Sequence, residues 1–240
     1  MPNNDVIPAT PLRRGNGMPG GSVTGAFSVS EALVAAHSPF SAQVEALRAL
    51  RSQLMARWFD GDPAHKMLAV VSAQRNEGRS FIAANLAIVF SQLGQRTLLI
   101  DADLRNPNQH RLFKVDNSIG LSEILAEHSE IALSGALKPI AALENLSVLP
   151  AGLAPPNPAD LLARSAFAQL LHDLLAHFDI IIADTPAAAG FAEAQSIAAH
   201  AGAALIVAQK NRSRIAQVRA LADGMAHTRA TVVGTVLNDA

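Results

Sequence analysis

The chain has 240 residues, 50% of them hydrophobic and 16% charged, which is enough to bury one sizeable core. Its 19 basic and 20 acidic residues leave a net charge of -1, so nucleic-acid binding through bulk charge has no support. Cysteine is absent, which excludes disulfides and thiolate metal sites and suits a reducing, cytoplasmic setting. Tyrosine is absent too, so no side chain of this chain can become phosphotyrosine.

Residues 1–29 are rich in Pro, Gly, Asn and Ser and lack a sustained apolar period, which predicts a flexible tail ahead of one domain over 30–240. The tail spells a formal G-x-G-x-x-G from Gly15 to Gly20. No strand precedes it, and Pro19 stands where a helix would start, so the dinucleotide-binding context is missing. Val44, Leu47, Leu50, Leu54 and Trp58 then recur at helical spacing, predicting an amphipathic helix over 41–59 that Gly61, Asp62 and Pro63 stop. Beyond it, apolar runs at 67–71, 97–100, 146–149, 180–183, 203–208 and 231–237 alternate with helical patterns, notably 80–93, 165–177, 191–200 and 213–227. None of these runs is long enough to cross a bilayer. The rhythm predicts an α/β fold with a doubly wound, mostly parallel sheet, whose ligands lie beyond the carboxyl ends of the strands.

Three of those strand ends carry chemistry. After 67–71 the segment Ser72-Ala73-Gln74-Arg75-Asn76-Glu77-Gly78-Arg79-Ser80-Phe81 leads into a helix, in the place of a phosphate-binding loop G-x-x-x-x-G-K-[ST]. Gly78 and Ser80 match, Ala73 replaces the first glycine, and Arg79 keeps a positive charge where lysine is usual. After 97–100 come Asp101 and Asp103, two carboxylates that an extended chain points the same way, as a Mg²⁺ site requires. After 180–183 comes Asp184, followed by Thr185 and Pro186. Singly, each has a plain reading: a strand–helix turn, a helix cap beside a solvated acid, a turn-initiating aspartate. Together they supply a phosphate loop, metal ligands and an acid at one sheet edge, which points to nucleotide binding.

On these residues the sequence resembles the bacterial tyrosine kinases that accompany capsule and exopolysaccharide export, in particular their EpsG-type chain-length-determinant branch. Those are deviant P-loop ATPases related to the septum-placement and plasmid-partition ATPases. The likeness runs over about 40–238 and is most specific at 77–87, 98–107 and 179–186, with further matches at 120–125 and 155–162. It implies a protein-tyrosine kinase using ATP and Mg²⁺. Residues 73–81 would hold the nucleotide, with Asn238 near the adenine. Ser80, Asp103 and Asp184 would hold the metal, Arg79, Asp101 and Asp103 would serve catalysis, and Asp101 would be the base or acceptor-orienting acid. Glu45, Arg48 and Arg51 match the family's E-x-x-R-x-x-R self-association motif, although spacing alone reads them as an ion-paired helix face. The resemblance further implies a homo-oligomer at the cytoplasmic side of the inner membrane, held there by a membrane chain-length determinant protein.

The sequence departs from that family in two respects. Arg75, Asn76 and Arg79 stand at the usual Pro, Gly and Lys positions, and the family's tyrosine cluster has no counterpart here. Any kinase activity must therefore act in trans. A degenerate kinase serving as a nucleotide-binding adaptor and an ATPase switch of the positioning type remain open as alternatives, although Gln74 at the partition ATPases' extra lysine position disfavours the latter. His172 and His177 are five apart, off the spacing of a helical zinc pair, and no G-x-S-x-G elbow is present.

Overall fold

The computed structural model describes residues 29–127, 133–190 and 192–239, so the expected tail over 1–29 lies, but for Val29, outside the described residues. All six predicted apolar runs are strands: β1 (Met67–Ser72), β2 (Thr97–Asp101), β4 (Leu146–Leu149), β5 (Ile180–Asp184), β6 (Ala203–Gln209) and β7 (Thr231–Asn238). A seventh, the two-residue β3 (Lys138–Pro139), pairs antiparallel with β4 at the sheet's edge. It is too short, and too marked by proline, for any periodicity to show it.

The strand order is β3-β4-β2-β5-β1-β6-β7, with every pairing but β3–β4 parallel. Parallel neighbours need crossovers, and the helices supply them. The principal helices are α1 (Ala42–Leu54), which precedes β1 and is no crossover, and then α2 (Arg79–Ser91), α3 (Gln109–Phe113), α4 (Ser165–His177), α5 (Glu193–Ala201) and α6 (Ile215–Ala226). Because successive strand side chains alternate, one sequence feeds two cores. Leu68, Val70, Leu99, Ile182 and Leu205 pack beneath α1 and α2. Met67, Val71, Leu98, Ile100, Ile181 and Ile206 pack against α4, α5 and α6 on the opposite face. That two-sided burial explains why the strands read as continuous apolar runs rather than alternating ones.

The expected helix over 41–59 begins with Ser41, whose side chain accepts the Val44 N–H, and changes its winding after Leu54. Met55–Phe59 is a π-helical turn. The wider turn buries Trp58 and Phe59 together: the Trp58 indole donates to the Met67 carbonyl at 3.0 Å and stacks on His65. This anchors α1 to the start of β1. Among the described residues, no helix is long and apolar enough to cross a membrane.

Candidate active site

The central strands β1, β5 and β2 end side by side, with Asp101 of β2 in register with Asp184 of β5. The loop after β1 crosses above them. It turns through two left-handed residues, Asn76 at φ 61° and Gly78 at φ 91°. Asparagine tolerates that region; at Gly78 there is a second constraint, because a Cβ would push aside the Asn238 amide. Gly78 is also the N-cap of α2 and offers no side-chain cap, so the first-turn N–H groups of this 13-residue helix stay available to an anion.

Glu77, 1% exposed, braces the loop from below. Its carboxylate accepts the Gln74 N–H at 2.8 Å and the Ser213 hydroxyl, while its carbonyl accepts the Asn238 side-chain amide at 3.2 Å. Glu77 thus ties the loop to β7 and to the segment before α6. A cavity of about 670 Å³ opens above the loop, lined by residues 75–81 together with Asp103, Arg105, Asn106, Pro107, Asn108 and Arg111. Of the expected nucleotide-binding residues, Arg75, Asn76, Glu77, Gly78, Arg79, Ser80 and Phe81 line it. Ala73 does not; it lies in the core beneath, its carbonyl accepting the Ala189 N–H. Gln74 is taken up by the Glu77 contact. Asn238 lies behind the loop and lines a second, apolar hollow of about 470 Å³ shared with Phe81, Leu47 and Leu50.

The guanidinium of Arg79 is turned down into the acids. Its Nε donates to Asp184 at 3.0 Å, one Nη to Asp103 at 2.8 Å and the other to the Ser72 hydroxyl at 3.0 Å. Arg79 is only 8% exposed, and Asp184 not at all. The remaining oxygens are also engaged: Asp184 Oδ2 accepts from Gln109 Nε2 at 2.7 Å, and Asp103 Oδ1 accepts the Asn106 N–H at 3.0 Å. Asp101 is fully enclosed and does not line the cavity. One of its oxygens accepts the Asn108 and Gln109 N–H groups at 3.0 and 2.9 Å, and the other has no partner. Burial, reinforced by the neighbouring Asp184 charge, holds its carboxyl well above the usual carboxylate range. Burial also raises Asp103, against the opposing pull of Arg79.

The expected catalytic and metal-binding residues thus converge, whereas Ala73, Gln74 and Asn238 lie off the larger cavity and the self-association set lies elsewhere. Glu45 and Arg48 pair on the surface of α1, whereas Arg51 turns inward and donates to the Val89 carbonyl of α2 at 2.7 Å. Sequence reading missed Ser72, Gln109 and the Arg105–Glu193 pair, which joins the loop after β2 to α5 at 2.6 Å. A glutamine or serine with no periodic context carries no signal of its own. The available cues were position alone: Ser72 directly before the phosphate loop, and Arg105 and Gln109 shortly after Asp101 and Asp103.

A strand, a phosphate-type loop opening a helix, and acids at the ends of two neighbouring strands define a P-loop NTPase. A ParA family model, described as NUBPL iron-transfer P-loop NTPase, matches residues 64–240. The chain is 32% identical over 208 residues to tyrosine-protein kinase YwqD of Bacillus subtilis, covering 86% of this chain and 85% of that one. It is 34% identical over 206 residues to tyrosine-protein kinase wzc of Salmonella typhimurium, covering 86% of this chain and 28% of the relative. The solved kinase domain of Escherichia coli tyrosine kinase ETK has 32% identity and a TM-score of 0.81, over 86% of this chain and 79% of that one. The chain belongs to the bacterial protein-tyrosine kinases, a branch of the ParA-type P-loop NTPases.

Proposed function

We propose that this chain transfers the γ-phosphoryl group of ATP to tyrosines of a separate polypeptide, within a system that governs exopolysaccharide chain length and export. The observation that carries the reading is the convergence of Arg79, Asp101, Asp103 and Asp184 beneath an uncapped helix N-terminus that opens onto the cavity. Phosphoryl transfer needs positioning and charge neutralisation more than covalent chemistry, and this arrangement is suited to both. The absence of tyrosine from the chain makes the acceptor another molecule.

The donor set fits Mg²⁺. Among the described residues no three acids or histidines form a closed metal cage. Mg²⁺ bound with a nucleotide does not need one, since it takes one or two carboxylates and completes its shell with phosphate oxygens and water. Ser80, Asp103 and Asp184 supply oxygens only, and a fourth oxygen, on Asp101, lies buried without a partner. The ion's contribution, once bound, is to neutralise charge on the phosphates. The phosphates themselves meet the α2 N-terminus and Arg79, which must leave the acids to reach them. Phe81 lines both hollows, so a nucleotide with phosphates in the larger one places its base toward Asn238 in the smaller. Asp103 is the acid at the cavity wall. Asp101, enclosed behind it, is assigned the acceptor hydroxyl's proton once Arg79 has moved.

Family likeness supports the remaining assignments: self-association through α1 with Glu45, Arg48 and Arg51, and recruitment to the cytoplasmic face of the inner membrane by a membrane chain-length determinant. Asp101→Asn tests the mechanism. It is expected to abolish transfer while leaving most nucleotide binding, and full transfer in that variant removes Asp101 from the reaction.

A further inference from the structure

Gln109 belongs to no motif, yet it is completely buried at the meeting point of the three functional segments. Its side-chain Nε2 donates to Asp184 Oδ2 at 2.7 Å and to the Ser80 carbonyl at 3.1 Å, and its backbone N–H donates to Asp101 at 2.9 Å. Both partners of the side-chain nitrogen are acceptors, so the amide's orientation is fixed: nitrogen toward Asp184 and Ser80, oxygen away from them. That oxygen, Oε1, is buried and has no hydrogen-bond partner. A buried amide oxygen left unpaired is costly, and native structures keep such groups where a ligand or water completes them.

The two oxygens of Asp184 are therefore not equivalent. Oδ2 is held by an uncharged donor from α3, Oδ1 by the guanidinium of Arg79. When Arg79 moves to a phosphate, Gln109 keeps its hold on Asp184, because that bond is made from the start of α3 to the other carboxylate oxygen and does not involve the guanidinium. We infer that Gln109 is a positioning residue for the divalent cation: it pins Asp184 through Oδ2 so that Oδ1 is left to face the cation's shell once Arg79 has moved, with Oε1 left to accept from a buried water. This rests on the reading of the site as a Mg²⁺–nucleotide site and adds to it a residue outside the metal's own ligands. Outer partners of this kind fix the orientation of the carboxylate that serves the metal, and their loss typically costs about 10- to 100-fold in metal affinity.

The test uses the full chain and measures ADP affinity calorimetrically, once in EDTA and once in excess Mg²⁺. The wild-type chain is expected to bind ADP more tightly with Mg²⁺. Gln109→Met keeps the side chain's length and the backbone N–H but removes the amide, and it is expected to shrink the Mg²⁺-dependent gain by about 10-fold or more while leaving affinity in EDTA within about 2-fold. Mn²⁺ titration of the ADP complex, read by loss of the free-ion paramagnetic resonance signal, gives the same comparison without any turnover. Should the Met variant fail to fold, Gln109→Asn keeps an amide in the pocket but falls a methylene short of Asp184, and it is expected to weaken cation binding in the same direction. A wild-type chain indifferent to Mg²⁺ overturns the metal-site reading and this inference with it. A Mg²⁺-responsive wild type matched by an equally responsive Met or Asn variant overturns the inference alone, as does equal weakening with and without metal, which would mark Gln109 as merely structural.

Discussion

Replacing Arg79 by alanine probes the unusual feature of this site, a loop cation paired with the acids instead of facing the cavity. Arg79 joins two buried carboxylates and the Ser72 hydroxyl through three donor contacts of 2.8 to 3.0 Å. Removing one partner of a buried ion pair costs about 3–5 kcal/mol, because the remaining charges have neither water nor counter-ion. For a chain of this size each kcal/mol moves the melting temperature by about 2–4 °C, so Arg79→Ala is expected to melt about 6–20 °C below wild type in EDTA. The same loss frees Asp103 and Asp184 for a cation. Millimolar Mg²⁺ without nucleotide should therefore restore part of the variant's stability and leave wild type unmoved, since in wild type every oxygen of both acids already has a donor. Calorimetric melting of both chains, with and without Mg²⁺, reads this directly. A variant as stable as wild type in EDTA, or a wild type stabilised by Mg²⁺ alone, refutes the view that Arg79 guards the acids.

Arg79→Lys trades a planar fork for a single ammonium that cannot serve Asp103, Asp184 and Ser72 together; its melting point without nucleotide should fall and its Mg-ATP affinity rise, and unchanged affinity would argue that releasing the arginine costs nothing. Asp101 gives a pH test. Its folded pKa lies above its ordinary 3.8, so its contribution to stability is fully present below that value and is lost as pH rises through the raised pKa. Asp101→Asn removes this slope, and urea midpoints across pH 4 to 8 should show the variant gaining on wild type with rising pH; a constant difference contradicts the assignment. Gly78→Ala places a Cβ in a left-handed position against Asn238 and should abolish ADP binding at a cost of about 1–3 kcal/mol in folding. Ser213→Ala removes a donor to the buried Glu77 carboxylate, and a loss of about 1–3 kcal/mol with weakened ADP binding would show that the loop is braced from below.

Much of the fold was legible because its strands are buried on both faces and most of its helices on one, α2 being enclosed nearly all round. Continuous runs such as Ile180–Asp184 and the heptad-like spacing of Val44, Leu47, Leu50 and Leu54 are direct consequences of that layering. The winding change at Met55 left no mark, because apolar spacing over five residues does not distinguish a π-turn from an α-turn. The acids were legible as well, since a carboxylate ending an apolar strand has few structural reasons to be there. Their partners were not. Whether Arg79 faces the cavity or the acids depends on charge balance in three dimensions, and Gln109 matters only because α3 starts where β2, β5 and the loop meet. Arg51 shows the converse: a residue chosen by spacing for the surface turns inward to the last turn of α2.

The fate of the γ-phosphate separates a kinase from the other proteins this fold could make. The most direct measurement incubates the purified chain with γ-labelled Mg-ATP and a separate tyrosine-containing polypeptide, then identifies the labelled species. Label on tyrosine of the added polypeptide, with none on the chain itself and none when Asp101→Asn replaces wild type, is the predicted result. Free phosphate alone, or intact ATP despite demonstrated binding, contradicts it and leaves a nucleotide switch or a non-catalytic adaptor on the same fold.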